Sequence, residues 1–331
     1  MGVAADRCPG AISREEYAAL VAKLDAVPSL ACPNFRLLRA QHPCVPPPTL
    51  LGLFSQEAQN RVIRTHHLHK ANMASHCARY RAGVDVLEIC AAADFPACLM
   101  MRRMLEHMLG LSKQRVSDVV KDPSLLTAAL VGDAAAGEAG AALLARLRAD
   151  VVRCARADRS YSPYSDMAKT LAGLEHEAAL YATLREAGVP HWSEQELRDK
   201  GMYKTPDALL QVPIAVRCPL TERWHIVHWI DSKASFGDDR LHAQALEGQY
   251  RTYLNRYGSG AVIYWFGFVR DLAQPGDTAA GSDGGGWEGG AGGGGGMAGG
   301  GGGGAGSGAA EAGEVLLLDR FPGPGEVRLL S

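Results

Sequence analysis

Two stretches decide the fold: DALLQVPIAV (207–216), preceded by Thr205-Pro206, and WHIVHWIDSK (224–233). Each is apolar and of strand length, and residues 217–223 leave room for a turn between them. The first leg runs out from Asp207 and the second runs back to Asp231. Strands rise about 3.3 Å per residue, so legs of similar length bring Asp207 beside Asp231. Side chains alternate along a strand, which projects Asp231 and Lys233 on one face and Ser232 on the other. Working outward, LAGLEHEAALYATLREA (171–187) reads as a helix ended by Gly188, and 240–256 as another. AVIYWFGFVR (261–270) and EVLLLDRF (314–321) read as two more strands. Helix, strand, strand, helix, strand is an α/β order.

The paired aspartates carry the chemistry. Two carboxylates brought together repel unless a cation sits between them, and oxygen ligands suit Mg²⁺ or Mn²⁺. A lysine beside them orients water and neutralises charge on a phosphate. A third acid lies on the 171–187 helix. Glu177 shares a face with Leu174, Leu180, Tyr181 and Leu184, where a carboxylate is costly unless paired or metal-bound. Glu175 points elsewhere, so Glu177 is favoured; its plainer reading is a solvated helix charge. Gln249 and Tyr253 are one turn apart and share a face, from which both reach a phosphate or support Lys233. Tyr250 and Tyr253 also read as core aromatics.

The N-terminal half reads as helical. REEYAALVAKL (14–24) follows Ser13 as N-cap, and a long helical region spans about 50–120 with a start at Ser55-Gln56-Glu57. Residues 58–84 contain no acid but hold Arg61, Arg64, Lys70, Arg79 and Arg81. That one-sign run is either a phosphate-contacting face or a solvated surface. His66, His67, His69 and His76 sit in the same run without a cysteine at finger spacing. Residues 83–109 read as helix, turn, helix around Asp94-Phe95-Pro96. This is a possible helix-turn-helix presenting Arg102 and Arg103, or an αα-hairpin packing a core. The domain reading is therefore a helical, possibly nucleic-acid-binding unit (1–130), an Ala/Gly-rich linker that runs into a helix (131–150) and an α/β unit (151–331).

Composition bounds the class. The chain has 331 residues, 47% hydrophobic and 21% charged, with net charge −2. That excludes a disordered chain, a fibrous repeat and a disulfide-stapled scaffold. Of 39 glycines, 20 fall between Gly281 and Gly313, so the excess belongs to one surface-loop insert (279–313). The eight cysteines form no CxxC pair and read as reduced thiols of an intracellular protein. MGVAADRCPG lacks the apolar core of a secretory signal, and no apolar run approaches the ~20 residues that span a bilayer, so no membrane partner is expected.

Glu177, Thr205-Pro206-Asp207, Asp231-x-Lys233 and Gln249-x-x-x-Tyr253 together resemble the PD-(D/E)XK nuclease pattern in its QxxxY branch. A bare D-x-K is weak, but the ordered set on the right kinds of element is much stronger. YKTPDALLQVPIAV (203–216), HWIDSKASFGDD (228–239), NRYGSGAVIYWFGF (255–268) and FSQEAQNRVIRTHH (54–67) are similar to the TPD-motif nuclease family. The resemblance covers about 14–270 and 314–330, outside the linker and the glycine insert. It implies a helical N-terminal region and a mixed-sheet nuclease domain cutting DNA or RNA. It implies a metal site of Asp207, Asp231, the Ser232 carbonyl and Glu177, with Lys233, Gln249 and Tyr253 in the catalytic set. It also implies a codanin-like scaffold as partner and a nuclear and cytoplasmic location. Where the family pattern has Glu, this chain has Asp231, one methylene shorter. A catalytically silent fold serving that scaffold is the alternative, and a helix-turn-helix regulator with an accessory domain is a third reading.

Overall fold

The computed structural model describes residues 8–131, 137–273 and 314–330. The glycine insert falls outside the described residues. In the N-terminal half the helices are α1 (Arg14–Asp25), α2 (Phe35–Gln41), α3 (Pro47–Ala71), α4 (Met73–Arg81), α5 (Val86–Ala93), α6 (Ala97–Leu109) and α7 (Lys113–Lys121). Then come α8 (Ala128–Val131), α9 (Gly137–Ala157), α10 (Pro163–Glu186) and α11 (Glu194–Asp199). After the second strand pair, α12 (Asp239–Ala245), a π turn over Leu246–Tyr250 and α13 (Arg251–Tyr257) follow one another. The strands are β1 (Ala11–Ile12), β2 (His191–Ser193), β3 (Ala208–Arg217), β4 (Trp224–Lys233), β5 (Gly260–Tyr264), β6 (Phe268–Val269), β7 (Val315–Leu318) and β8 (Val327–Leu329).

Helix signals in the sequence explain most boundaries. Ser13 caps α1, its Oγ accepting the Glu16 N–H at 3.2 Å. The long helix starts at Pro47 rather than at Ser55. Proline suits a first turn, where its missing N–H has no partner to lose. Gly188, at φ +67, follows the end of α10.

The main sheet runs β2-β3-β4-β5-β7, with β8 also on β3. β3 and β4 are antiparallel, while β4–β5 and β5–β7 are parallel. A parallel neighbour needs a crossover, and the helical stretch from Asp239 to Tyr257 supplies it between β4 and β5. Every residue of β5 is buried because both faces are covered. Ala261, Ile263, Leu316 and Leu318 pack with Leu180 and Leu184 of α10 on one face. Val262, Tyr264 and Leu317 pack with Tyr250 and Tyr253 on the other. Period two in the strands thus sorts two cores.

Two packing arrangements shape the N-terminal half. Residues 137–157, which begin within the expected linker (131–150) and run past it, form α9, and its Leu147, Val151 and Cys154 are buried with Met100, Met104 and Val119. The first turns of the chain meanwhile belong to the C-terminal half. β1 pairs with β6, and Leu20, Leu24, Leu50 and Leu53 pack with Phe236 and Val269. A core can recruit any apolar face its topology brings near, whatever the distance along the chain.

The basic run divides. Arg61 turns inward and is buried. Its guanidinium donates to the carbonyls of Leu24, Asp25 and Val27 and lies 3.5 Å from Asp94. Its expected phosphate contact is therefore replaced by a structural one. Arg61→Ala should lower stability by roughly 2–3 kcal/mol, the scale of charged hydrogen bonds with buried partners left over. A thermal melt unchanged by the substitution would contradict that role. Arg64 pairs with Asp25 at 2.7 Å and Glu57 at 2.8 Å. Lys70 and Arg81 are exposed and Arg79 is half-buried.

The helix pair around Asp94 is present as α5 and α6. Six residues of α6 are buried, among them Met100, Met101 and Met104, so the methionines fill core. Arg102 is half-buried, and Arg103 pairs with Glu106 at 2.8 Å. All eight cysteines are free. No helix among the described residues is long and apolar enough to cross a membrane.

Candidate active site

The antiparallel register sets Ala208 against Ile230, which puts Asp207 opposite Asp231 at one end of the sheet. Asp207 Oδ2 accepts the Ser232 N–H at 2.6 Å. Asp231 is 2% exposed, and Lys233 Nζ lies 2.6 Å from its Oδ2. Lys233 Nζ also donates to Gln249 Oε1 at 3.2 Å. Asp231 and Lys233 meet because they are two apart on one strand and share a face. Gln249 reaches them from the crossover helix.

Glu177 arrives from α10 through a tyrosine. Tyr181 Oη donates to Glu177 Oε1 at 2.8 Å and to the Asp207 carbonyl at 2.9 Å. Tyr181 is one turn beyond Glu177, so one helix face presents both. Glu175 is exposed and takes no part. Tyr253 does not approach the lysine. It is buried, and its Oη donates to the Thr205 carbonyl at 2.8 Å, anchoring the Thr-Pro-Asp turn.

Three contributors escaped the sequence reading. Tyr250 Oη donates to Asp231 Oδ2 at 3.2 Å, a contact its apolar surroundings did not announce. Trp265 Nε1 donates to Ser232 Oγ at 2.8 Å on the opposite face of the strand. Tyr181 was noted only as a stripe neighbour. Its polar tip on a core-facing helix was the signal, since a buried hydroxyl seeks a partner.

The electrostatics are those of an acid-rich pocket. Burial, and then Asp231, push the Asp207 carboxyl up to about 7. Burial raises Asp231 as well, against the pull of Lys233. Burial draws the Lys233 ammonium down, but Asp231 and Asp207 outweigh it and hold the lysine charged. Two carboxylates, Asp207 and Asp231, thus lie against one ammonium and Glu177 adds its charge beside Asp207, an excess that a divalent cation fits, and all the donors are hard oxygens. Among the described residues no three His, Cys, Asp or Glu side chains converge into a ready metal cluster. Asp207 and Asp231 are the adjoining pair, and Glu177 stands at their side through Tyr181.

A family model described as a protein of unknown function with the TPD sequence motif matches residues 144–281, a span that holds every one of these residues. CDAN1-interacting nuclease 1 of Mus musculus is 34% identical over 276 residues, covering 79% of this chain and 90% of the relative. The protein of the same name from Homo sapiens is 34% identical with the same coverage. That from Danio rerio is 35% identical over 278 residues, covering 79% and 84%. The chain belongs to the TPD-motif family of CDAN1-interacting nuclease 1. No solved structure matches it.

The site of this TPD-motif family member makes a pH prediction. The folded chain holds a proton on Asp207 up to about pH 7, which the unfolded chain releases near its ordinary 3.8. Between those values the native state binds more protons, so metal-free stability falls as pH rises through the window. Asp207→Asn removes the ionisation and should flatten the fall in melting temperature between pH 5 and 8. Equal slopes in the two proteins would place the proton elsewhere. Divalent affinity should rise over the same window, because the ligand is the ionised carboxylate.

Proposed function

We propose that this chain is a metal-dependent nuclease of the PD-(D/E)XK type that hydrolyses phosphodiester bonds of DNA or RNA and works with a codanin-like scaffold. The carrying observation is the Lys233–Asp231 pair set against Asp207 at the ends of adjacent strands. The relatives' printed name, CDAN1-interacting nuclease 1, supports both the activity and the partner. Asp207, Asp231, the Ser232 carbonyl and Glu177 would hold Mg²⁺ or Mn²⁺. The bound ion supplies Lewis acidity toward the phosphate and a lowered pKa for water. Lys233 holds the attacking water and faces the charge that builds on the phosphate. Gln249 fixes the lysine, Tyr181 orients Glu177, and Tyr253 locks the turn that carries Asp207. A nuclear and cytoplasmic location is part of the same proposal and rests on the family resemblance.

A silent fold that only serves the scaffold is the second reading. One observation favours it: Tyr164, Met167, Leu171 and Leu174 line α10 at helical spacing and stay 58–62% exposed, an apolar stripe suited to a protein partner. A groove-reading role for α5 and α6 has less support, since Arg103 is engaged by Glu106 and six residues of α6 are buried in core.

End-labelled single-stranded, duplex and branched DNA, with matched RNA, incubated in Mg²⁺, Mn²⁺ or EDTA, decides between them. Products that appear with metal and vanish in EDTA support the nuclease. No product in any metal, with no metal bound by calorimetry, leaves the scaffold partner as the function.

A further inference from the structure

The turn ahead of Asp207 is tied to the crossover helix at successive residues. Lys204 Nζ donates to the Gly248 carbonyl at 3.3 Å, Tyr253 Oη to that of Thr205 at 2.8 Å, and an Arg256 guanidinium nitrogen to that of Tyr203 at 2.7 Å. Gln249, Tyr253 and Arg256 are spaced four and three apart, one row along a helical face. The row begins at the catalytic lysine's partner and leads away from it. At 1.5 Å per residue, Arg256 lies about 10 Å along the axis from Gln249. Lys204, at φ +49, adopts the left-handed conformation in this turn.

At the far end of the row stands an exposed aromatic. Tyr203 is 69% exposed, the most open of the large hydrophobic side chains described. The Arg256 guanidinium carbon stacks 4.5 Å from its ring centroid. Its hydroxyl meets no partner among the described residues, so the ring is not placed there for a hydrogen bond. Arg256 already secures the turn through the Tyr203 carbonyl, which leaves the exposed ring without a structural task. A second cation–aromatic pair involves β2, which borders β3: Lys200 Nζ sits 2.8 Å from the ring centroid of Trp192, the partner of Leu209. Aromatic faces backed by cations beside a carboxylate site are what single-stranded nucleic acid uses: bases stack on the rings and the cations follow the backbone.

We infer that Tyr203 and Arg256 form a stacking platform for an unpaired nucleobase of the strand whose phosphate meets Lys233. The inference rests on the nuclease reading of that site and names its substrate class as single-stranded, because a duplex keeps its base faces covered. Sequence tolerance is expected, since every base has a face to stack.

The test reads binding apart from cleavage. Fluorescein-labelled oligo-dT, oligo-U and a DNA duplex are titrated with the full chain in EDTA, and again in Ca²⁺, by anisotropy. Tyr203→Ala should weaken single-strand binding about tenfold or more, Tyr203→Phe should bind within about twofold of wild type, and duplex binding should not change. The dT and U arms separate DNA from RNA. Single-strand binding that Tyr203→Ala leaves intact, an equal loss on duplex, or wild type that binds no oligonucleotide each overturns the platform. Binding that depends on Tyr203 in a chain that never cuts supports the platform and overturns the nuclease reading. Cutting by a chain whose Tyr203→Ala variant binds normally does the reverse. Thermal melts of both variants confirm folding, as the ring is on the surface.

Discussion

Replacing Lys233 with alanine is expected to lower phosphodiester cleavage by about a hundredfold or more, the scale at which positioned proton-transfer groups and preorganised charges act. The lysine lies against the acid pair, 2.6 Å from Asp231 and braced by Gln249 at 3.2 Å. The carboxylates hold it charged, so it acts by orienting water and meeting negative charge. Its loss also strips a buried carboxylate of its partner, which is destabilising by about 3–5 kcal/mol in comparable sites. The metal-free variant should therefore melt lower than wild type, and added Mn²⁺ should recover part of the difference. Initial cleavage rates must be compared below both melting points. A variant that cuts as fast as wild type would remove Lys233 from the mechanism.

Gly260→Ala should cost roughly 3 kcal/mol, at the upper end of overpacking effects in well-filled cores. An added Cβ would fall 2.1 Å from Trp229 Cε2 and 2.2 Å from its Cδ2. The indole cannot swing aside. It is fully buried, donates from Nε1 to the Gly258 carbonyl at 2.8 Å, and stacks on Tyr250. Tyr253 closes it edge-on at 5.1 Å. The melting temperature should drop by roughly 4 °C, because the entropy of unfolding grows with chain length and this chain has 331 residues. Because Tyr250 also binds Asp231, activity should fall further than stability alone explains. Adding Trp229→Phe to Gly260→Ala should return part of the loss by vacating the space. A melt within a degree of wild type would show that the strands have room to spare.

Much of the active-site geometry was legible because period-two alternation is local. Apolar runs of matching length on either side of a turn fixed Asp207 opposite Asp231, and the two-residue step fixed Lys233 beside it. The crossover helix was half legible. Spacing set Gln249 and Tyr253 four residues apart, but it did not say that the first would serve the lysine and the second the Thr205 carbonyl. Tyr250 is the buried core aromatic that the sequence offered as one reading, but the apolar pattern did not announce that its hydroxyl would also reach Asp231 from the π turn. Arg61 was illegible because charge predicts exposure, whereas the carbonyls that bury it come from a different segment, Leu24 to Val27. The docking of residues 8–54 on the C-terminal half was illegible too, since no local pattern encodes a partner so distant in the chain.

That docking has a consequence for biosynthesis. Leu20, Leu24, Leu50 and Leu53 close their core on Phe236 and Val269, and Ala11 bonds in register with Phe268. On the ribosome these early segments emerge roughly two hundred residues before the surface they need, which at ordinary elongation rates is on the order of 10–40 s. For that interval their apolar faces have no native shelter, and the nascent chain should be a strong client for chaperones that bind exposed leucines. Ribosome-bound chains halted before Phe236 should be cut by protease within residues 14–54, and chains that have cleared Val269 and the last sheet strand should resist.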